Sequence, residues 1–376
     1  MKTFVRKSYK PLSLLPLLIL LSPVATAVAS NPHATPFGSV FTMSNSPSGN
    51  SILAYNRSPT GLLIYAGSFA TGGLGASGLT GSNQGGVVLS QNGNWLLVVD
   101  VGSNQLSVFR VFRFPSTSLA LTDVVYSGGV YPISVAISGN LVYVLNNGTS
   151  ETAGNIAGFY LSNRGALFPI PGSISYLSSN VNSKQISFNP AGTVLAVTEK
   201  TGSLVTYVVN HFGTPSSPTI TASNGIAPYG FAFDSRGQLI VSDAGSDALS
   251  SYAVSNSGSL TAIAPGPVSN GGQAAPCWVV DTANGNLAFT TDAHIGTISS
   301  YSISYSGSLT LLHSVAATTS GIPDLDMALG GNSNFLYVYD AGTNTIQGFA
   351  VHSDGTLTSI QTVSGIPAGA DGLAAN

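Results

Sequence analysis

APYGFAFDSRGQLIVSDAGSDALSSYAVSNSGSLTAI, residues 227–263, decides the fold. Four short apolar runs fill it. Tyr229–Asp234 ends at Ser235-Arg236-Gly237, Gln238–Ser242 at Asp243-Ala244-Gly245-Ser246-Asp247, and Ala248–Val254 at Ser255-Asn256-Ser257-Gly258; Ser259–Ile263 is the fourth. Short alternating runs closed by Gly, Asn, Asp and Ser are antiparallel strands joined by tight turns. The stretch therefore reads as a four-stranded meander, with strands A to D in chain order.

The meander recurs. Strand C gives the ruler: an aliphatic residue, two spacers, then an aromatic. It stands at Ile52/Tyr55, Leu106/Phe109, Ile156/Phe159, Leu204/Tyr207, Leu249/Tyr252, Ile298/Tyr301 and Ile346/Phe349. From Tyr55 to Phe349 the ruler advances 294 residues in six steps, a mean of 49. A period near 50 with four strands per unit predicts an all-β, seven-bladed β-propeller of four-stranded antiparallel blades. A lone meander cannot bury both faces, whereas blades set side by side in a closed ring cover one another. Blade 1 begins with a B-like strand, Val40–Met43, and lacks an A strand. The last residues, from Ile366 to Ala375, resemble the A-strand starts at Ala227-Pro228-Tyr229 and Ile322-Pro323-Asp324. The C-terminal strand is therefore expected to complete blade 1 and clasp the ring.

The chain opens like a secretory signal. Lys2, Arg6, Lys7 and Lys10 form a positive segment, Leu12–Leu21 an apolar one, and Ala27-Val28-Ala29 a small-residue cleavage site. Residues 1–29 are read as the signal and 30–376 as one propeller domain, secreted to the periplasm or the extracellular space. Four of the 11 Lys/Arg leave with the signal, so the remainder carries seven basic and 14 acidic residues. That balance excludes nucleic acid and anionic membrane surfaces as natural partners. No later stretch is long and apolar enough to span a bilayer. Cys277 is the single cysteine, so no disulfide can staple the ring. A monomer is expected.

Strand topology sorts the turns. Strand B ends on the face where strand A starts, so the B–C turns and the D–A connections converge at one mouth of the central channel. Loops that converge on a channel mouth are where ligands bind. The B–C turns bring Asp100, Asn146, Glu199, Lys200, Asp243, Asp292, His294 and Asp340 there; the A-strand starts bring Lys184, Tyr229, Cys277, Trp278, Asp324 and Asp371. The recurring Asp and Asn are read as turn-capping residues. Function is sought where a blade departs from the repeat: Lys184 and Glu199-Lys200 in blade 4, Trp278 and Asp292-x-His294 in blade 6. Arg57, Arg110 and Arg113 fall at or after strand C and are expected to face outward. Gly73-x-Gly75-x-x-Gly78 is followed by a strand, Val87–Leu89, rather than a helix, which removes a dinucleotide site. The loop from Thr71 to Gly86 then reads as a D–A connection over the mouth, able to act as a lid. No cofactor is implied and no metal set stands out.

The runs Gln185–Val209, Ala227–Ala244 and Ala275–Tyr301 resemble the lactonase-type seven-bladed propellers, which include bacterial 6-phosphogluconolactonase and the fungal carboxymuconate-lactonising enzyme. The resemblance covers nearly all of the chain beyond the signal. It implies a site at the channel mouth built from His, carboxylate and Arg side chains, of which only part carries over to this chain. Glu199 and His294 are then the candidate acid/base pair. Lys184, Lys200, Tyr229, Trp278, Asp292 and Asp324 are candidate substrate-binding residues, and no Arg maps to the mouth. A small-molecule or carbohydrate ligand is expected under two readings: an enzyme that hydrolyses or forms a lactone, or a non-catalytic extracellular propeller that binds a glycan, peptide or cell-wall component around Tyr229 and Trp278.

Overall fold

Strand C shows why the chain folds as it does: every aliphatic and aromatic residue of the ruler is at most 2% exposed. In the computed structural model these pairs form the contact between neighbouring blades, and strand B beside them is covered on both faces, as at Leu96–Val99. The structure describes residues 1, 3, 37–76, 84–177 and 182–376, with the backbone alone at 324–325. The expected signal at 1–29 lies almost wholly outside the described residues. Thr35–Asn376 form one compact unit. Among the described residues no helix is long and apolar enough to cross a membrane.

Seven antiparallel sheets make the unit. The inner strands of blades 2 to 7 are Val87–Leu89, Pro132–Ser138, Ser183–Phe188, Pro228–Phe233, Pro276–Asp281 and Asp324–Gly330. The inner strand of blade 1 is Asp371–Ala375, which pairs with Gly38–Met43. The expected clasp is thus present, and the inner strands touch one another in order around the ring. Outer strands such as Leu63–Ala70 and Leu357–Val363 face solvent on one side.

Arg57 does not face outward. It is 5% exposed, and its guanidinium donates to the carbonyls of Asn376 (2.9 Å) and Phe37 (3.1 Å) while lying over the Phe335 ring. The C-terminal residue needs a donor once its carbonyl is buried, and Arg57 supplies it across the seam. Asn376 also pairs with Ser39 through both backbone and side chain.

The strand-B acids are more than turn caps. Asp100, Asp243 and Asp292 are fully buried and each accepts a hydrogen bond from two sides. One donor lies seven residues on, in the same blade: Ser107, Ser250 and Ser299. The other comes from the end of the preceding blade: Thr71 (2.7 Å), Ser223 (3.0 Å) and Asn270 (2.9 Å). Asn146 accepts from Ser127 at the end of the preceding blade and donates its amide to Asn155 in its own blade. A repeated polar latch therefore ties blades 2, 3, 5 and 6 each to its predecessor. In blade 4 the donor within the blade differs: seven residues beyond Glu199, Thr206 donates to the Gly258 carbonyl.

Within the 71–86 loop, residues 77–83 lie outside the described residues, and with them Gly78 of the rejected motif. The flanks are fixed. Gly75 passes so close to Asn45 that an added Cβ would stand 2.1 Å from its carbonyl carbon. Gln84 is buried and bridges two separate blades, its amide donating to the Val279 carbonyl in blade 6 while its own carbonyl accepts from Ser134 in blade 3.

Candidate functional site

One repeated backbone device shapes the mouth. The residue just ahead of the inner strand takes a left-handed conformation in blades 3 to 6: Tyr131 (φ 66°), Asn182 (φ 96°), Ala227 (φ 54°) and Ala275 (φ 57°). Its carbonyl accepts the N–H of the second residue of the B–C turn, namely Asn147, Lys200, Ala244 and Ala293. That second turn residue is thereby held at the channel. In blades 2, 3 and 4 it is Val101, Asn147 and Lys200; in blades 5, 6 and 7 it is Ala244, Ala293 and Ala341. Small side chains leave room, and a cavity of about 640 Å³ opens on that side.

Lys200, Tyr229, Trp278 and His294 line the cavity, together with Cys277. The remaining wall is small or apolar: four alanines, Gly245, Ile322 and Pro323. Tyr229 is 8% exposed and Trp278 is fully buried; their rings meet edge-on at 5.7 Å between centroids. Two ammonium groups sit over the Tyr229 ring, Lys184 Nζ at 5.1 Å and Lys200 Nζ at 5.7 Å from its centroid. Both distances are within cation–π range.

Lys184 is 9% exposed and makes no ion pair or hydrogen bond with another described residue. Burial, with the Lys200 charge alongside, holds its ammonium down at about 8. Trp278 Nε1 is likewise buried without a hydrogen-bond partner among the described residues. Burial pushes the Cys277 thiol up to about 12 against the pull of both lysines, so it stays a neutral, inert wall residue.

The structure thus brings Lys184, Lys200, Tyr229, Trp278 and His294 to one place. Glu199 is fully buried at the end of Val194–Glu199 and contributes no surface to the cavity. Asp292 belongs to the blade latch, held by Ser299, Asn270 and Thr297; burial pushes its carboxyl up to about 7. Asp324 opens the inner strand of blade 7, and its side chain lies outside the described residues. Sequence reasoning missed the alanine wall. The signal was there in Asp-Ala-Gly, Asp-Ala-His and Asp-Ala-Gly of blades 5 to 7, where attention went to the polar neighbours. Among the described residues no group of three metal-ligating side chains forms.

The family model described as Lactonase, 7-bladed beta-propeller matches residues 194–367. Over that segment the chain is similar to the lactonase-type propellers, and its seven sheets make it a seven-bladed β-propeller. Among curated proteins no sequence matches it. Solved structures resemble it along almost their whole length. A Bacteroides fragilis protein named provisionally as a 6-phosphogluconolactonase is 15% identical, with 92% of this chain and 100% of that one covered at a TM-score of 0.70. The periplasmic gluconolactonase of Pseudomonas aeruginosa is 14% identical, with 89% and 98% covered at 0.70. Virginiamycin B lyase from Staphylococcus aureus is more distant: 14% identical, with 75% and 84% covered at 0.52. At such identities the likeness concerns the fold, and chemistry has to be argued from the site.

Proposed function

We propose that the protein is a secreted lactonase-like enzyme that opens or closes a lactone ring in the cavity between blades 4 and 7. Lys184 carries this reading. A buried cation with no counter-ion among the described residues is costly, so a position that keeps one favours a site where a ligand brings negative charge. Opening a lactone creates that charge twice, on the carbonyl oxygen in the tetrahedral intermediate and on the product carboxylate. Lys184 and Lys200 are the electrostatic partners for both.

His294 is the exposed base on the cavity wall. In the hydrolytic direction it takes a proton from water as the water oxygen bonds to the carbonyl carbon. The ring C–O bond then breaks, and the proton passes from His294 to the departing alkoxide. Ring closure runs the same steps backwards. Trp278 Nε1 is a second donor for the oxyanion or the ring oxygen. The names of the related gluconolactonase structures support a lactone as substrate, and the Lys2–Ala29 pattern supports export.

The test is hydrolysis of a lactone panel by the protein and by His294→Ala. The variant is expected to lose roughly 10²- to 10⁴-fold in kcat. If no lactone is hydrolysed while a glycan is bound and then released by Trp278→Ala, the protein is a binding module instead.

A further inference from the structure

The wall of the cavity speaks against a polyol. A sugar lactone or aldonate presents several hydroxyls, each of which needs a partner once removed from water. Yet eight of the twelve residues around this cavity are Ala, Gly, Cys, Ile or Pro. The hydrogen-bonding side chains are few: Lys200, Tyr229, Trp278 and His294. The cations stand on blade 4, while the wall from blades 5 to 7 is mostly apolar.

The apolar end continues outward. Ile226, Ile295 and Ile322 are 68%, 47% and 53% exposed. They come from blades 5, 6 and 7, at the residues just ahead of the inner strand or within the B–C turn. Ile322 lines the cavity itself. Ile226 packs on Gly245, which also lines it, and Ile322 reaches Gly296 beside Ile295. Large aliphatic side chains left in water on three neighbouring blades around a single opening mark a surface that an apolar partner covers.

We infer that the ligand is an amphipathic lactone and its ring-opened hydroxy acid. The ring, or the carboxylate formed from it, lies against Lys184 and Lys200, and an alkyl chain runs out over Ile322 towards Ile226 and Ile295. Charge complementarity fixes the orientation: only the head bears charge, and only the blade 4 side of the cavity holds cations. About 640 Å³ also exceeds what a bare five- or six-membered lactone fills, and the alkyl chain takes up the remainder. The inference rests on this cavity being the site of the lactonase reading, but binding and turnover test the two separately.

The experiment is titration calorimetry of the whole protein with butanoate, hexanoate, octanoate and decanoate, each below its micelle concentration, with gluconate as the polyol control. Hydrolysis of γ-butyrolactone, γ-decalactone and gluconolactone is measured beside it. Affinity is expected to rise with chain length, approaching about fourfold per methylene where the chain is fully buried, and gluconate is expected to bind more weakly than hexanoate. Ile226→Ser/Ile295→Ser should flatten that rise while butanoate binding is unchanged; both side chains are exposed and lie outside the cavity lining, so the fold is not at risk. Decalactone turned over faster than butyrolactone and gluconolactone completes the case. Chain-length-dependent binding with no turnover of any lactone supports the amphipathic ligand and removes the lactonase. Gluconolactone turned over in preference to decalactone, with no chain-length dependence, keeps the lactonase and overturns the inference. Chain-length dependence that survives in the double serine variant also overturns it.

Discussion

Removing the last eight residues tests how the ring is closed. The truncation deletes Asp371–Ala375, which pairs with Gly38–Met43, and with it the buried Ala370, Leu373 and Ala374. Burial of one leucine and two alanines contributes about 3–4 kcal/mol. The ladder bonds and the contacts of Asn376 with Ser39 and Arg57 contribute about 5 more at ~1 kcal/mol each. Releasing eight ordered residues returns roughly 8–12 kcal/mol of conformational entropy, which offsets that gain. The net cost lies in what is left behind. The Asp326 carboxyl loses the Leu373 N–H at 2.8 Å, the buried Arg57 loses a carbonyl, and the Phe41 side of blade 1 becomes an open edge. Stranded features of this kind cost about 1–3 kcal/mol each, so the loss is roughly 3–9 kcal/mol. For a domain of this size that is a fall in Tm of about 4–12 °C. Thermal melting followed by far-ultraviolet circular dichroism measures it. A truncated protein that melts within ~2 °C of the full chain would refute the clasp.

Asp243→Ala should cost about 2–4 kcal/mol, because it strands the Ser223 and Ser250 hydroxyls between two blades. Asp243→Asn should cost clearly less in the same denaturant titration, since Asn146 already holds the equivalent latch in blade 3 with an amide. Burial raises the Asp243, Asp292 and Asp371 carboxyls to about 6, 7 and 7. Between those values and the ordinary carboxylate range near 4, the folded chain holds protons that the unfolded chain has released, so stability falls as pH rises through that window. The Tm is therefore expected to be higher at pH 5 than at pH 8; a Tm that rises over that interval contradicts the burial of these groups. Anion affinity should fall above pH 8 as the Lys184 ammonium loses its proton, and Lys184→Met should weaken it at neutral pH by at least tenfold; calorimetry at pH 7 and pH 9 decides both.

The fold was legible because the propeller repeats one physical problem seven times. Ile/Leu and aromatic residues at the strand-C spacing answer it each time, so periodicity alone revealed blade count and ring closure. Individual contacts across the seam were not legible. Arg57 sits in strand C like any surface arginine, and nothing local shows that a terminal carbonyl more than three hundred residues away will meet it. The strand-B acids were seen, but as turn caps, because a turn is local and the donor from the preceding blade is not. At the mouth, departure from the repeat pointed to Lys200, Trp278 and His294, which line one cavity, and to Lys184, whose ammonium lies over the Tyr229 ring of its wall. The same reasoning put Glu199 beside Lys200. Alternation along the strand buries Glu199 and leaves Lys200 exposed. Ala244 and Ala293 were overlooked because a cavity is made by what is small, and small residues carry no chemical label.

The most direct test is a crystal structure of the protein soaked with 4-hydroxydecanoate, the ring-opened form of γ-decalactone. The carboxylate is expected within hydrogen-bond distance of Lys184 Nζ or Lys200 Nζ, beside the Tyr229–Trp278 pair, with the alkyl chain leaving over Ile322. Hydroxy-acid density at another site, or an empty cavity at a concentration that saturates binding in solution, would contradict the assignment of this mouth as the functional site.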